Sequence, residues 1–138
     1  MPRAVLDPNV LVAALISPTG SSARLLLELR AGAFELVTSP RLLGELGDVL
    51  GREKFRRYAS TTEAEAYVAL LRQESIVLDD PEPSPERLAD DPDDEYLIAL
   101  ARVAPAAALV SGDSHLLRLS DVIPVMTPRD FLESLEKP

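Results

Sequence analysis

Short apolar runs alternate along the chain with longer segments in which apolar residues recur at helical spacing. Five of the apolar runs have the length typical of buried strands: 3–6, 34–38, 76–78, 107–110 and 123–125. The helical spacing predicts helices over 8–16, 21–31, from Pro40 onward, 62–73, about 94–103 and 128–135, with a short helix after Gly112. Alternation of this kind predicts an α/β fold with a central, mostly parallel sheet flanked by helices.

Length and composition narrow the class of protein. A chain of 138 residues has the size of one compact domain, which we expect to span residues 1–138. It contains no Cys and one His, which excludes disulfides and metal sites built from Cys or from His pairs. No apolar run approaches the ~18 residues of a membrane span, and the N-terminus lacks a signal-peptide pattern. We therefore expect a cytoplasmic protein in which any metal ligands are oxygens.

The negative charge is concentrated in one segment. Of the formal net charge of −9, residues 79–95 account for nine acids and one base, Arg87. The segment also holds four prolines, a composition typical of a loop between packed elements. Elsewhere, a short basic cluster is formed by Arg52, Lys54, Arg56 and Arg57. These four residues are the candidates for binding a nucleic-acid backbone, the alternative being a solvated helix end.

Two carboxylates follow predicted strands. Asp7 comes directly after the first strand, and Asp113 follows the fourth strand after a turn formed by Ser111 and Gly112. Because ligands of parallel α/β sheets bind at the carboxyl ends of the strands, we expect both carboxylates at the same edge of the sheet. Taken alone, either residue could instead be a helix N-cap, a position at which Asp is preferred.

A third carboxylate, Asp94, lies at the start of a predicted helix. The residues three, four and seven positions after it are apolar, so that Asp94 should point with the apolar face toward the edge of the core. Glu95 and Tyr96 fall off that face. The alternative is that Asp94 is one of several first-turn acids favoured by the helix dipole.

The fourth candidate, Glu45, lies at the shoulder of the apolar stripe of the helix that starts at Pro40, from which it could reach into a cleft. Gly44 and Gly47 lie on either side of it. Since each glycine in a helix interior costs about 1 kcal/mol relative to alanine, the pair suggests that another group approaches closely there, the alternative being simple sequence drift. A solvated surface acid is the alternative for Glu45.

Four carboxylates in one cleft would repel one another unless a cation bound between them. At ~5 Å and an effective dielectric of ~20, each pair costs on the order of 3 kcal/mol. A divalent metal ion removes this repulsion, and oxygen ligands point to Mg²⁺ or Mn²⁺. Such ions activate water and neutralise charge in phosphate chemistry, so the predicted reaction is phosphodiester hydrolysis.

Four segments in series resemble the PIN-domain family, and more narrowly the VapC-like toxins of toxin–antitoxin pairs. They are VLDPNVLV at 5–12, SPRLLGEL at 39–46, DPDDEYLIALA at 91–101 and LVSGDSHLL at 109–117. The resemblance implies the three-layer α/β/α fold of the family, with a central parallel sheet. It also implies an endoribonuclease that depends on Mg²⁺ or Mn²⁺, with RNA as substrate, an antitoxin protein as partner and a homodimeric state.

The resemblance also assigns roles to individual residues. Asp7, Glu45, Asp94 and Asp113 match the acidic metal-binding quartet of the family. Near it, Asn9 matches a polar position beside the first acid, and Ser111 matches a position that usually holds a hydroxyl. Two positions depart from the family pattern: Pro8 stands where Thr is common, and His115 stands where many relatives have a further Asp. The His115 ring could be a donor or an acid near the site, or an ordinary surface or packing side chain.

Two other classes of protein stay open at this point. A receiver-type signalling domain also places acids at strand ends, but it would have a second acid beside Asp7 and a Lys after a late strand, and the sequence has neither. A PIN-like domain that binds partners without cutting RNA would keep the fold and lose the acids. The retention of all four acids favours the enzyme.

Overall fold

Five short strands form a single parallel sheet in the computed structural model, which describes residues 1–82 and 85–136. The strands are β1 (Arg3–Leu6), β2 (Glu35–Thr38), β3 (Ser75–Val77), β4 (Ala108–Val110) and β5 (Val125–Met126). Their order across the sheet is β3-β2-β1-β4-β5. All four neighbouring pairs are parallel, so the predicted α/β class is confirmed.

Seven α-helices flank the sheet within the part of the chain that the structure describes. They are α1 (Pro8–Ile16), α2 (Ser21–Arg30), α3 (Pro40–Leu50), α4 (Thr61–Glu74), α5 (Glu95–Val103), α6 (Ser114–Leu117) and α7 (Pro128–Glu136). Short 3₁₀ turns cover Glu53–Phe55 and Pro92–Asp94, neither of which the apolar pattern predicts. The remaining boundaries agree with the predicted ones to within one or two residues, since helix and strand ends are the least sharply encoded parts of an element.

The connections place a crevice beside the central strand. From β1 the chain proceeds to β2 and β3 on one side, then crosses back to β4 and β5 on the other. Val5 in β1 is in register with Val37 of β2 and with Leu109 of β4. In open α/β sheets, ligands bind at the carboxyl ends of the strands where the order reverses in this way. Here that place lies between the ends of β1 and β4.

The core is formed by the sheet and the apolar faces of the flanking helices, among which α5 is buried on nearly every side. In β1 and β4 the residues from Ala4 to Leu6 and from Ala108 to Val110 are all buried, as are all six residues from 96 to 101 in α5. The prediction that Tyr96 lies off the apolar face is therefore wrong, because a helix that is buried on nearly every side has no solvent face at that position.

No single helix among residues 1–82 and 85–136 is long and apolar enough to cross a membrane. Helices α1 and α2, which meet at an angle of 96°, pass the same test only when taken together, by length and composition.

Candidate carboxylate site

Asp7 is a buried carboxylate at the junction of β1 and α1. Its side chain is 6% exposed. One oxygen accepts the backbone N–H of Asn9 at 2.9 Å, and the other accepts the hydroxyl of Ser111 at 2.8 Å. Burial raises the pKa of Asp7 above its ordinary value, although both hydrogen bonds act in the opposite direction. The charged form is therefore held in place but poorly solvated. Pro8 occupies the first turn of α1, where a missing N–H costs little.

Ser111 links Asp7 to Asp113. Its side chain is fully buried; its hydroxyl donates to Asp7 and accepts the backbone N–H of Asp113 at 3.0 Å. One oxygen of Asp113 in turn accepts the backbone N–H of His115 at 2.9 Å. Asp7 and Asp113 thus both cap helices, as the alternative interpretation holds, and they also lie together at the sheet edge. Capping and a role in a site are compatible here.

Asn9 is exposed beside Asp7 and Asp113 and, with Asp113, lines a cleft of about 360 Å³.

Asp94 lies at the end of the 3₁₀ turn that precedes α5. The helix begins at Glu95, one residue later than predicted, and the side chain of Asp94 makes no capping hydrogen bond. Its pKa is raised to about 6, mainly by burial and then by the charges of Asp7, Asp91, Asp113 and Glu45. Three of those four charges belong to the predicted quartet, so the other three members of the quartet lie close enough to Asp94 for their charges to act on it.

Glu45 is held by a residue that the sequence analysis missed. The hydroxyl of Tyr96, on α5, donates a hydrogen bond to the Glu45 carboxylate, on α3. Tyr96 is 3% exposed, and its pKa is raised by burial and by the hydrogen bond and charge of Glu45, so the hydroxyl remains a donor at neutral pH. The guanidinium of Arg41 lies over the Tyr96 ring, 4.4 Å from its centroid. Tyr96 directly follows two acids of its motif, but no periodicity argument distinguishes it from a core residue.

The glycines around Glu45 do not mark a close approach. A Cβ atom added to Gly44 or Gly47 would find no atom within 4 Å beyond the helix itself. The suggested contact is therefore wrong, and both positions face open space.

The predicted basic cluster lies at the other end of α3 from Arg41, after Leu50. The Arg56 guanidinium is used inside the protein, where it donates to the carbonyl of Leu50 and to the hydroxyl of Thr61. Lys54 and Arg57 lie over the rings of their own neighbours, Phe55 and Tyr58, each at 5.2 Å. Arg52 is exposed. Arg56 thus joins the end of α3 to the start of α4, and the other three side chains stay candidates for contact with a polyanion.

The acidic segment is attached to the site at two points. Asp80 accepts the backbone N–H of Arg41 at 3.0 Å, near the start of α3. A carboxylate oxygen of Asp90 lies 2.9 Å from Nδ1 of His115, which is hydrogen-bond distance. The same oxygen lies 4.0 Å from the guanidinium of Arg118. His115 is about half exposed and is turned toward this segment. Residues 83 and 84 of the segment, including Pro83, lie outside the described residues.

The donor set suits a hard cation. The quartet offers carboxylate oxygens only, which matches Mg²⁺ or Mn²⁺. After burial, the charges of the other acids add to the rise in the Asp94 pKa, and such an ion would relieve that repulsion. Among residues 1–82 and 85–136, no three acidic or imidazole groups already stand in a joint metal-binding arrangement. Binding would therefore require side-chain rotation, most readily of Asp94, which has no capping hydrogen bond.

A model of the PIN domain family matches residues 3–115. This chain belongs to the PIN domain family. PIN domains are generally nucleases and typically depend on divalent metal ions. The chain is also similar to "Uncharacterized protein MJ1680" of Methanocaldococcus jannaschii, with 27% identity over 145 aligned positions that cover 98% of this chain and 92% of that protein.

Two solved structures share the fold. PAE2754 from Pyrobaculum aerophilum superposes with a TM-score of 0.67 at 17% identity, covering 98% of this chain and 96% of that one. A chain of VapBC2 from Rickettsia felis, bound to a DNA fragment from its promoter, superposes with a TM-score of 0.59 at 16% identity, covering 91% and 96%. The match to the family model confirms the predicted family, and these two structures confirm its α/β fold.

Proposed function

We propose that this protein is a metal-dependent endoribonuclease that hydrolyses phosphodiester bonds of RNA at the site formed by Asp7, Glu45, Asp94 and Asp113. The observation that carries the proposal is the Ser111 hydroxyl, which joins Asp7 and Asp113 at the carboxyl ends of β1 and β4. Beside this pair the pKa of Asp94 is raised mainly by burial and then by neighbouring charges, those of Asp7, Asp113 and Glu45 among them. A group of acids with this mutual repulsion destabilises a fold unless it binds a cation. The family, whose members are generally nucleases, supports the same reaction.

The two strand-end carboxylates form the fixed part of the site. Ser111 holds Asp7 and Asp113 in place, so that they can bind a cation without losing the order of their own loops. Asp94 adds a third oxygen ligand from the start of α5. Mg²⁺ or Mn²⁺ bound there supplies charge for the attacked phosphate and acidity for a water. Glu45, held by Tyr96, either completes the ligand set or orients the attacking water.

We further propose that the protein is the toxin of a toxin–antitoxin pair, active in the cytoplasm as a homodimer and inhibited by a cognate antitoxin. The support for this partner is the shared fold with a chain of the VapBC2 complex. The arrangement implies that free protein cleaves RNA and that the antitoxin suppresses the activity.

Incubation of the purified protein with structured RNA tests the reaction. Cleavage is expected with millimolar Mn²⁺ or Mg²⁺ and not with EDTA, and it should disappear in Asp7→Asn and Asp94→Asn. Asp93→Asn is the matched control, since it removes the same charge from an exposed neighbour of Asp94. If the pure protein never cuts RNA with any divalent ion, the second candidate, a PIN-like domain that binds RNA or protein without cutting, is the better account. Inactivation by Asp93→Asn but not by Asp94→Asn would mean that the wrong acid has been assigned.

A further inference from the structure

To bind the polyanionic backbone of RNA, the carboxylate site needs a basic side chain in addition to a metal ion. A metal ion neutralises the acids, but the backbone of RNA brings a charge at every nucleotide, and phosphate contacts by Arg or Lys contribute most of the affinity of such complexes. The basic cluster is poorly placed for this task. Arg52 follows Arg41 by eleven residues, most of them in α3, which corresponds to about 15 Å at the rise of an α-helix.

Arg41 is the basic residue that lies beside the quartet. It is on the first turn of α3, four residues before Glu45, so the two side chains leave the same face of the helix. Its guanidinium covers the ring of Tyr96, whose hydroxyl holds Glu45. The charges of Arg41, Glu45 and Asp7 all act on that hydroxyl.

The Arg41 side chain is both exposed and uncommitted. Within the described residues its guanidinium has no hydrogen bond or ion pair, and its contact with Tyr96 is a cation–π contact that uses none of its N–H groups in a hydrogen bond. The N–H groups at its edge therefore stay available. Arg on an aromatic ring keeps this edge oriented, and the planar group binds a phosphate through two parallel hydrogen bonds.

We propose that Arg41 binds a backbone phosphate of the RNA at the carboxylate site, and that Tyr96 is the positioning residue that fixes Arg41 through its ring and Glu45 through its hydroxyl. The inference rests on the proposed function and names the substrate contact of that same site. Tyr96 thus has two separable parts. The ring positions Arg41, which binds the substrate, and the hydroxyl positions the carboxylate of Glu45.

Binding can be measured without cleavage. In an Asp7→Asn background with EDTA, the affinity of a fluorescein-labelled single-stranded RNA is followed by anisotropy as salt is varied. Arg41→Gln should weaken binding and lower the salt slope by about 0.7, the value for one lost phosphate contact on a single strand. Arg102→Gln is the matched control, because it removes an equal charge from an exposed position at the far end of α5. Equal losses in the two variants would overturn the proposal, since they would indicate a general charge effect.

Kinetics of the metal-loaded enzyme separate the two parts of Tyr96. Arg41→Gln should raise KM with little change in kcat, whereas Tyr96→Phe, which keeps the ring, should lower kcat and leave RNA affinity in EDTA unchanged. Tyr96→Leu, which removes the ring, should lose affinity as Arg41→Gln does. A loss of affinity in Tyr96→Phe as large as in Arg41→Gln would contradict the role of the ring. Melting curves show whether Tyr96→Leu folds; if it does not, the Arg41→Gln and Arg102→Gln pair decides the question.

The failure of this inference differs from a failure of the proposed function. If wild-type protein cuts no RNA but Arg41→Gln still loses affinity relative to Arg102→Gln, the phosphate contact stands and the hydrolysis does not. If wild type cuts RNA and the two variants behave alike, the reaction stands and Arg41 has no part in it.

Discussion

The two halves of the carboxylate site are held in different ways. The strand-end pair, Asp7 and Asp113, is fixed by backbone N–H groups and by Ser111, at the ends of two hydrogen-bonded strands. The helix pair, Glu45 and Asp94, lies on α3 and at the start of α5; one member is held by a tyrosine hydroxyl and the other has no capping bond. We call the strand-end pair the rigid half, because backbone N–H groups and Ser111 fix it, and the helix pair the adjustable half, because it has fewer fixed partners. Under the proposed function, the adjustable half is the part that moves when a cation binds.

The largest expected effect comes from breaking the rigid half. Asp7→Asn should lower RNA cleavage by more than about 100-fold and remove the rise in melting temperature that Mn²⁺ causes, because a ligand that binds only the folded state stabilises it by mass action. Glu45→Gln should slow cleavage and keep part of that rise. Cleavage assays and melting curves in EDTA and in millimolar Mn²⁺ distinguish the two. Equal curves for wild type in both conditions would contradict the metal site.

The double variant sharpens this result. Once Asp7 is replaced, adding Glu45→Gln should remove almost no further activity, since residues that act as one unit have effects that do not add. Additive losses would mean that the two halves work independently.

Removal of the Ser111 hydroxyl should loosen the rigid half without taking away a carboxylate. In Ser111→Ala one oxygen of buried Asp7 loses its partner, which costs about 1–3 kcal/mol of folding free energy. Positioning partners of metal ligands typically contribute 10–100-fold to metal affinity or activity, so a loss of about that size is expected. Titration of Mn²⁺ by the melting-temperature shift measures it. Ser114→Ala, on the next short helix, is a control of the same chemistry.

The sequence identified the rigid half more completely than the adjustable half. Asp7 and Asp113 follow strands directly, so the rule for parallel sheets places them together without any knowledge of tertiary packing. The pattern places Asp94 near the start of the right helix, but because a 3₁₀ turn covers Pro92–Asp94, α5 begins at Glu95, one residue later than predicted. The contact between Tyr96 and Glu45 joins residues 51 apart on different helices, and no local pattern reports such a contact.

The basic cluster is a second case in which the sequence alone does not report which side chains are in contact. A count of charges groups Arg52, Lys54, Arg56 and Arg57, yet only the fold shows that Arg56 is engaged by Leu50 and Thr61. Conversely, Arg41 is isolated from other basic residues in the sequence, and only the fold brings its guanidinium onto the ring of Tyr96 on α5.

The pH dependence of the metal-free protein tests the adjustable half. The pKa of Asp94 is about 6 in the folded state, above the ordinary value of 3.8, so the folded state binds the proton more tightly than the unfolded state does. Asp94 therefore contributes stability that is fully present below about pH 4 and is lost as the pH rises through about 6. The melting temperature in EDTA should fall less between pH 5 and pH 7 in Asp94→Asn than in wild type. Identical slopes would mean that neither burial nor the neighbouring acids raise the pKa of Asp94.

A smaller effect is expected at the basic cluster. Replacing Arg52 and Arg57 together by Gln should lower the salt slope of RNA binding by at most about 1.4, if each contacts one phosphate of a single strand. The effect should fall short of this limit, because the cluster lies away from the site. The same anisotropy titration measures it, and an unchanged slope would assign these residues to the surface or to an antitoxin interface.

The smallest effect concerns the stiffness of α3. Gly44 faces open space, so Gly44→Ala should stabilise the protein by about 1 kcal/mol and raise its melting temperature by about 3 °C. Gly32, with φ of 82°, is the contrast, since Gly32→Ala forces a side chain into the left-handed region and should lower the melting temperature. If Tyr96 rather than helix flexibility sets the position of Glu45, the stiffer Gly44→Ala protein keeps its full Mn²⁺ shift. A smaller shift would mean that metal binding moves the backbone of α3 as well as the side chain of Glu45. The helix pair would then differ from the strand-end pair in backbone flexibility as well as in side-chain partners.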